Sequence, residues 1–294
     1  MVNSVLKKHS SEKVFDVCNI TLMLMLCLIF IIPILYIVTG SLISNEEFLR
    51  RGYVLFPEKL DFGAYRYVLN LDYGLYRAFK DTAIITLLGT FLNLVVTSAM
   101  AYGLAKKTMP GRNVITGMVF ITMLFNGGMI PTFLVVRGTG LLNTYLAFII
   151  PTLVSPWNLF LLRNFFMSIP VSLEESAMLD GANEVEILLR IILPLSLPSI
   201  ATIGLFYAVA HWNVWFEVLI YVPKYNIKTI QYVLREIFSN NIQENIPNLG
   251  ERMVVPPHQI RMATLVVATV PILIVYPFIQ KYFVKGVMVG SIKG

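Results

Sequence analysis

Charge is what this sequence has least of. Asp, Glu, Lys and Arg make up 14% of its 294 residues, against 56% hydrophobic residues, whereas a soluble domain carries about 25% charged residues. Seventeen acids and 23 bases are too few to wet a globule of this size, and a mean hydropathy of +0.72 agrees. The deficit excludes a disordered or collagen-like chain and argues against a soluble enzyme. Cysteine is almost missing too. Cys18 and Cys27 lie on one apolar run, where a rigid helix keeps them apart, so no internal disulfide is expected. His9, His211 and His258 are widely separated, with no carboxylate or thiol at ligand spacing, so no metal or nucleophile constellation is expected. No G-x-x-x-x-G-K-[ST] segment occurs, so the chain has no phosphate cradle of its own.

Long apolar runs are what it does have. Six are expected to cross a membrane as helices, at about 17–38, 82–105, 113–136, 141–162, 195–222 and 262–283, each long enough for a hydrocarbon core of about 30 Å. The first follows Lys7, Lys8 and Lys13 but is too long for a signal-peptide core, and no small-x-small cleavage site follows it, so it reads as a retained helix. The net charge of +6 sits beside apolar runs, which points to anionic lipid and not to nucleic acid. The basic turn Lys106, Lys107, Arg112 marks the cytoplasmic side, although the 23 Lys and Arg divide almost evenly between the two sides. Outer loops are then expected at about 44–80 and 223–261, and an inner one at about 170–194.

Several runs carry helix breakers: Gly127, Gly128 and Pro131 in the third, Pro151 and Pro156 in the fourth, Pro271 and Pro277 in the sixth. Each is expected to interrupt its helix, either as ordinary kinking or as part of a pathway. The second run has small residues at spacings of four, Thr97/Ala101/Ala105 and Ala99/Gly103, which predicts close helix packing.

Between the fourth and fifth runs the chain reads Ile169-Pro-Val-Ser-Leu-Glu-Glu-Ser-Ala-Met-Leu-Asp-Gly-Ala-Asn-Glu-Val-Glu186. Ser172 with Glu175 fits a capping box, Asp180-Gly181 a helix stop, and Asn183 with Glu186 a second start. The spacing predicts two short helices joined at a sharp bend outside the bilayer, with Pro194 and Pro198 leading into the fifth span. Local signals leave two uses open: a connector resting on the membrane surface, or a docking helix for a soluble partner.

Glu175-Ser176-Ala177, Asp180-Gly181-Ala182, Ile192-Leu193-Pro194 and Pro198 resemble the EAA loop of binding-protein-dependent ABC importer permeases, with Ser176 in place of the middle Ala. The ending Tyr282–Gly294 and the stretch His211–Glu217 are similar to the maltose-permease-like carbohydrate branch, nearest to permeases for oligosaccharides or polysaccharide fragments. The resemblance implies an all-α, six-span permease of the type I importer fold in a bacterial cytoplasmic membrane, both termini cytoplasmic. It implies a coupling helix set in a groove of an ATP-binding subunit, through Glu175, Ser176, Ala177, Asp180, Gly181, Ala182, Leu193 and Pro194. It adds a tail contact with that subunit through Ser291, Lys293 and Gly294. The implied partners are a second permease, two ATP-binding subunits that hold ATP and Mg, an extracellular binding protein and an oligosaccharide; this chain itself would hold no cofactor. The Asn-rich outer loop with Asn240, Asn241, Asn245 and Asn248 would meet the binding protein, or be a solvated connector.

Polar groups in lipid are costly and either bridge helices or line a path. Asn126, Asn158, Tyr207, His211, Trp212 and Asn213 are the path candidates, with Trp157; Trp157, Tyr207 and Trp212 also fit membrane anchoring, His211 and Glu217 helix bridging, and Asn93, Asn126 and Asn158 helix gluing. The rival function is an autonomous secondary transporter, which predicts internal repeats and mid-membrane charge. Neither is evident. A membrane-embedded glycan enzyme would need paired acids or a metal motif, and none is visible.

Overall fold

The computed structural model describes residues 10–52, 54–69, 75–224, 226–239 and 257–291. Among these the secondary structure is helical apart from one isolated bridge, Ile43 to Leu60. Residues divide into two compact units, 1–70 with 241–267, and 71–240 with 268–294.

The first unit holds α1 (Ser10–Leu42), α2 (Asn45–Arg51), α3 (Gly63–Leu69) and the start of α15 (Pro257–Ser291). The most apolar stretch of α1 buries none of its residues within the chain, so lipid or another subunit must cover it. At its end, Ser44 caps α2 by accepting from Glu47 N–H. The buried Glu47 carboxylate takes the Glu58 N–H at 3.0 Å and Arg51 Nη1 at 2.9 Å, which satisfies a charge that would be costly alone.

In the second unit α4 (Leu75–Ala105) is the central post, packed against α12 (Leu197–Trp212) and α8 (Pro156–Phe166). Its 31 residues span about 46 Å at 1.5 Å per residue, more than a hydrocarbon core, so its two ends lie on opposite membrane faces. Thr97 and Ala101 are buried on the packed face, as their spacing predicts, while Ala99 of the other small-residue row is exposed within this chain. Two apolar cores flank this post. One gathers Ala101, Leu104, Leu159, Leu162, Ile187 and Ile203, the other Ile85, Val136, Phe148, Val218 and Tyr221.

The breakers act where the sequence places them, with one exception. The third run splits into α5 (Arg112–Leu124) and α6 (Met129–Gly138) around Gly127-Gly128. The fourth splits into α7 (Leu146–Ile149), a 3₁₀ turn Ile150–Thr152, and α8, with a 57° bend. The fifth, expected as one span over 195–222 with no breaker, is nevertheless broken at 213–215, so α13 (Phe216–Tyr221) is separate. The exception is the sixth: α15 runs through Pro271 and Pro277 without interruption. In a membrane helix, neighbouring groups and small local adjustments satisfy the carbonyls that proline frees. Three helices among the described residues are long and apolar enough to cross a membrane, and five if each bent pair counts as one span.

Candidate functional site

The segment at 170–194 is built from local signals. α9 (Val171–Leu179) starts at Pro170, whose ψ of 128° leads an extended chain into the helix. Ser172 is thus already inside the helix, and the expected Ser172–Glu175 capping box does not form: no side chain caps α9. The stop is as expected. Gly181 has φ +86°, its N–H donates to Met178 O at 3.0 Å, and Ala182 N–H donates to Ala177 O at 2.9 Å. Those two bonds are the Schellman pattern, which needs a left-handed residue after the helix. Asn183 then caps α10 (Glu184–Ile187) in a complete capping box with Glu186. A π-turn, Leu188–Ile192, and α11 (Leu193–Leu195) follow, and the helix bends by 86° into α12.

One face of this segment is anchored and the other is open. Ala177, Ala182, Leu193 and buried Ile187 and Ile192 pack into the core at the end of α4. Glu175, Ser176 and Asp180 are exposed, together with Val171, Met178, Leu179 and Val185. Leu179 is 89% exposed, which is unusual for an apolar side chain outside a bilayer unless something else covers it.

Sequence reasoning missed what holds the anchored face. Lys106, just past α4, pairs with Glu174 and lies 3.0 Å from Glu184 Oε2. Tyr102 OH donates to the same Glu184 oxygen at 2.6 Å. Burial opposes the Lys106 charge, but its bonds to Glu174, Tyr102 and Glu184 outweigh that and raise its pKa above the ordinary lysine value. The Tyr102 hydrogen bond, followed by Lys106, lowers the pKa of Glu184. The α4 C-terminus is further held by Arg112 and Arg163, whose Nε atoms each donate to Leu104 O at 2.9 Å. Two cations thus sit at the negative end of the helix dipole. The basic turn that marks a membrane side is therefore also the clasp of this segment.

The path candidates divide. A cavity of about 720 Å³ is lined by Asn126, Asn158, Tyr207 and His211, with Phe206, Phe216 and Glu217. Trp212, Asn213 and Trp157 do not line it. Trp212 lies beside Phe79, and Asn213 takes a bond from Gln231 Nε2 at 3.3 Å. The Asn126, Tyr207 and His211 side chains are tied to the scaffold. Asn126 Oδ1 accepts from Gly128 N–H and shapes the α5–α6 break. Tyr207 OH lies 2.8 Å from Thr97 Oγ1 and accepts from Ser155 N–H. Asn93 Nδ2 donates to Thr152 O and Leu153 O, carbonyls left free at the α7–α8 bend. Its Oδ1 therefore accepts, and His211 Nε2 at 3.0 Å donates. His211 thus bridges α12 to α4 while edging the cavity. Lys293 and Gly294 lie outside the described residues, as do Asn240, Asn241, Asn245 and Asn248; Ser291 ends α15.

At the opposite end of α4, buried Asp81 accepts from Tyr145 OH at 2.7 Å and Lys228 N–H at 3.1 Å. Thr82 Oγ1 accepts from Ile230 N–H at 2.9 Å. These bonds fasten the chain that leads into α14 (Ile230–Ser239), and hydropathy gives no sign of them.

Comparison with known proteins matches this architecture. The permease protein YtcP of the Bacillus subtilis polygalacturonan/rhamnogalacturonan transport system is 43% identical over 285 residues, 96% of this chain and 99% of that protein. Protein LplC of B. subtilis is 45% identical, with 96% of each chain covered. The arabinooligosaccharide permease AraQ of the same organism is 30% identical over 98% of this chain and 99% of that protein. In the crystal structure of a bacterial ABC transporter involved in import of the acidic polysaccharide alginate, one chain superposes with a TM-score of 0.85. That chain is 31% identical, and the match covers 94% of this chain and 99% of that one. Residues 5–289 match the family of inner-membrane components of binding-protein-dependent transport systems. A helical core with a clasped elbow at one end of α4 and a largely apolar cavity carrying a few polar groups suits a transport subunit, and the chain belongs to that family.

Proposed function

We propose that this permease forms half of the translocation path for an oligosaccharide, and that residues 170–194 take the stroke of a separate ATP-binding subunit. The observation that carries the coupling role is the elbow itself. Its exposed face joins apolar Val171, Met178, Leu179 and Val185 to acidic Glu175 and Asp180, and its other face is anchored on α4 and runs into α12. Such a face fits a hydrophobic groove with basic rims on a soluble partner. The cavity supports the path: amides and a phenol suit sugar hydroxyls, and aromatic faces suit sugar rings. The substrate reading rests on relatives named for polygalacturonan/rhamnogalacturonan and alginate, both rich in uronic acids, so a uronate-bearing oligosaccharide is the first choice.

The partners in this reading are a second, different permease, two ATP-binding subunits carrying ATP and Mg, and an extracellular binding protein. The six spans lie in a bacterial cytoplasmic membrane with both termini inside. Loaded binding protein docks outside, ATP closes the inner subunits, and the bundle alternates its access.

The test is to purify the tagged chain from its native membrane in mild detergent and identify its companions by mass spectrometry. An ATP-binding subunit and a second permease are expected, with the ATP-binding subunit lost when Glu175 and Gly181 are replaced. Proteoliposomes of the complex should import oligogalacturonides with ATP. A chain that arrives alone and moves solute without ATP would favour a secondary transporter instead.

A further inference from the structure

Three helices meet at one ammonium group. Lys106 directly follows α4; its Nζ pairs with Glu174 on α9, reaches Glu184 at the start of α10 at 3.0 Å, and lies 4.6 Å from the centre of the Tyr102 ring. Lys106 and Glu174 retain only 18% and 15% side-chain exposure, so water and salt screen this pair far less than an open surface pair.

The two carboxylates flank the Gly181 turn. That turn is held by two backbone bonds, and no atom lies within 4 Å of where a Cβ on Gly181 would stand. The joint between α9 and α10 is therefore not packed from its outer side. A charge bridging Glu174 and Glu184 braces it from within. The covalent route from α9 reaches α12 only after the turn, a π-turn and an 86° bend. The Lys106 route reaches α4 in a single step.

We propose that Lys106 is a positioning residue that locks the α9–α10 elbow to α4, so that a displacement of α9 is delivered to α4 directly as well as to α12 through the chain. This rests on residues 170–194 docking on the ATP-binding subunit. In that setting the clasp divides the stroke between α12, which borders the cavity, and α4, which shares with α12 the core around Leu104 and Ile203.

The experiment is hydrogen exchange by mass spectrometry on the purified complex, with and without ATP and vanadate. Wild type should change protection both in 171–187 and in the last two turns of α4. In Lys106→Gln the response at 171–187 should remain, while the response at the end of α4 falls at least about fivefold, the lower edge of ordinary coupling between sites. Lys106→Arg should restore it, as should the charge swap Lys106→Glu with Glu174→Lys made together with Glu184→Gln, so that no two carboxylates face each other. An unchanged α4 response in Lys106→Gln would overturn the proposal, as would a swap that restores thermal stability but not that response. If Lys106→Gln does not assemble, the swap decides alone. Failure of the docking reading looks different: wild type itself would lack the ATP-binding subunit and show no response at 171–187, and the proposal would fall with it.

Discussion

Gly181 shows how much a single backbone angle can carry. Its φ of +86° is open to glycine and strained for any residue with a Cβ, although space around it is free. Gly181→Ala should therefore cost about 1–2 kcal/mol through conformation alone. Gly181→Val should cost more, because β-branched residues tolerate this region least. The expected outcome for Gly181→Val is ATP hydrolysis that no longer drives uptake in proteoliposomes; uptake at the wild-type rate would refute the role.

Gly89 is required for the opposite reason. A Cβ there would stand 2.6 Å from His211 Nε2, so Gly89→Ala must displace the imidazole and break its bond to Asn93. Overpacking of this kind costs about 1–3 kcal/mol, readable as a lower unfolding temperature in detergent. His211→Ala should cost less, about 0.5–2 kcal/mol, since a helix-bridging hydrogen bond in a membrane is worth little more than that. An effect of His211→Ala on transport far beyond its effect on stability would mark His211 as a path residue and not only a bridge.

At the scale of elements, the clasp between α4 and the elbow has a definite pH range. Glu184 has a lowered pKa, so its contribution is complete above the ordinary glutamate value of about 4.3 and is lost as pH falls through the lowered one. Lys106 has a raised pKa, so its contribution is complete below about 10.4 and is lost as pH rises through the higher value. The stability difference between wild type and Lys106→Gln should thus be flat from about pH 5 to pH 10, with Glu174, Tyr102 and Glu184 as the facing groups. It should shrink in stronger acid, and thermal melts across that range check it. The other end of α4 offers an independent test. Asp81→Ala would leave the half-buried Lys228 N–H and Tyr145 hydroxyl without their acceptor, at up to about 1–3 kcal/mol in all. Faster exchange at 227–230, with 171–187 unaffected, is the expected signature.

For the whole molecule, α4 sets the geometry, because its ends project from opposite faces of the bilayer. Lys107 and Lys224 should then lie on opposite sides. In a background with Cys18 and Cys27 replaced by Ser, an impermeant maleimide applied to intact cells should label Lys224→Cys and spare Lys107→Cys. The reverse pattern would invert the proposed orientation. At this scale the family match and the apolar outer surface agree. α1 buries none of its most apolar stretch within the chain, and such a surface belongs against lipid or a second permease.

Much of this was readable in the sequence, and for one physical reason: those features are local. Hydropathy over about twenty residues marks a span. Gly127-Gly128 marks a break, and Gly181 and Asn183 mark a stop and a start, because each acts on backbone within one turn. The local reading erred where a neighbour changed the outcome. Pro170 opens the helix before Ser172 can cap it, and Pro271 and Pro277 bend no helix into two. Tertiary structure alone decided which polar groups meet. Lys106 finds Glu174 and Glu184, Asn93 finds His211, and Asp81 finds Lys228 across long stretches of chain, and no periodicity encodes such pairs. A charge or an amide in or beside the bilayer must find a partner, and which partner depends on how the helices have packed.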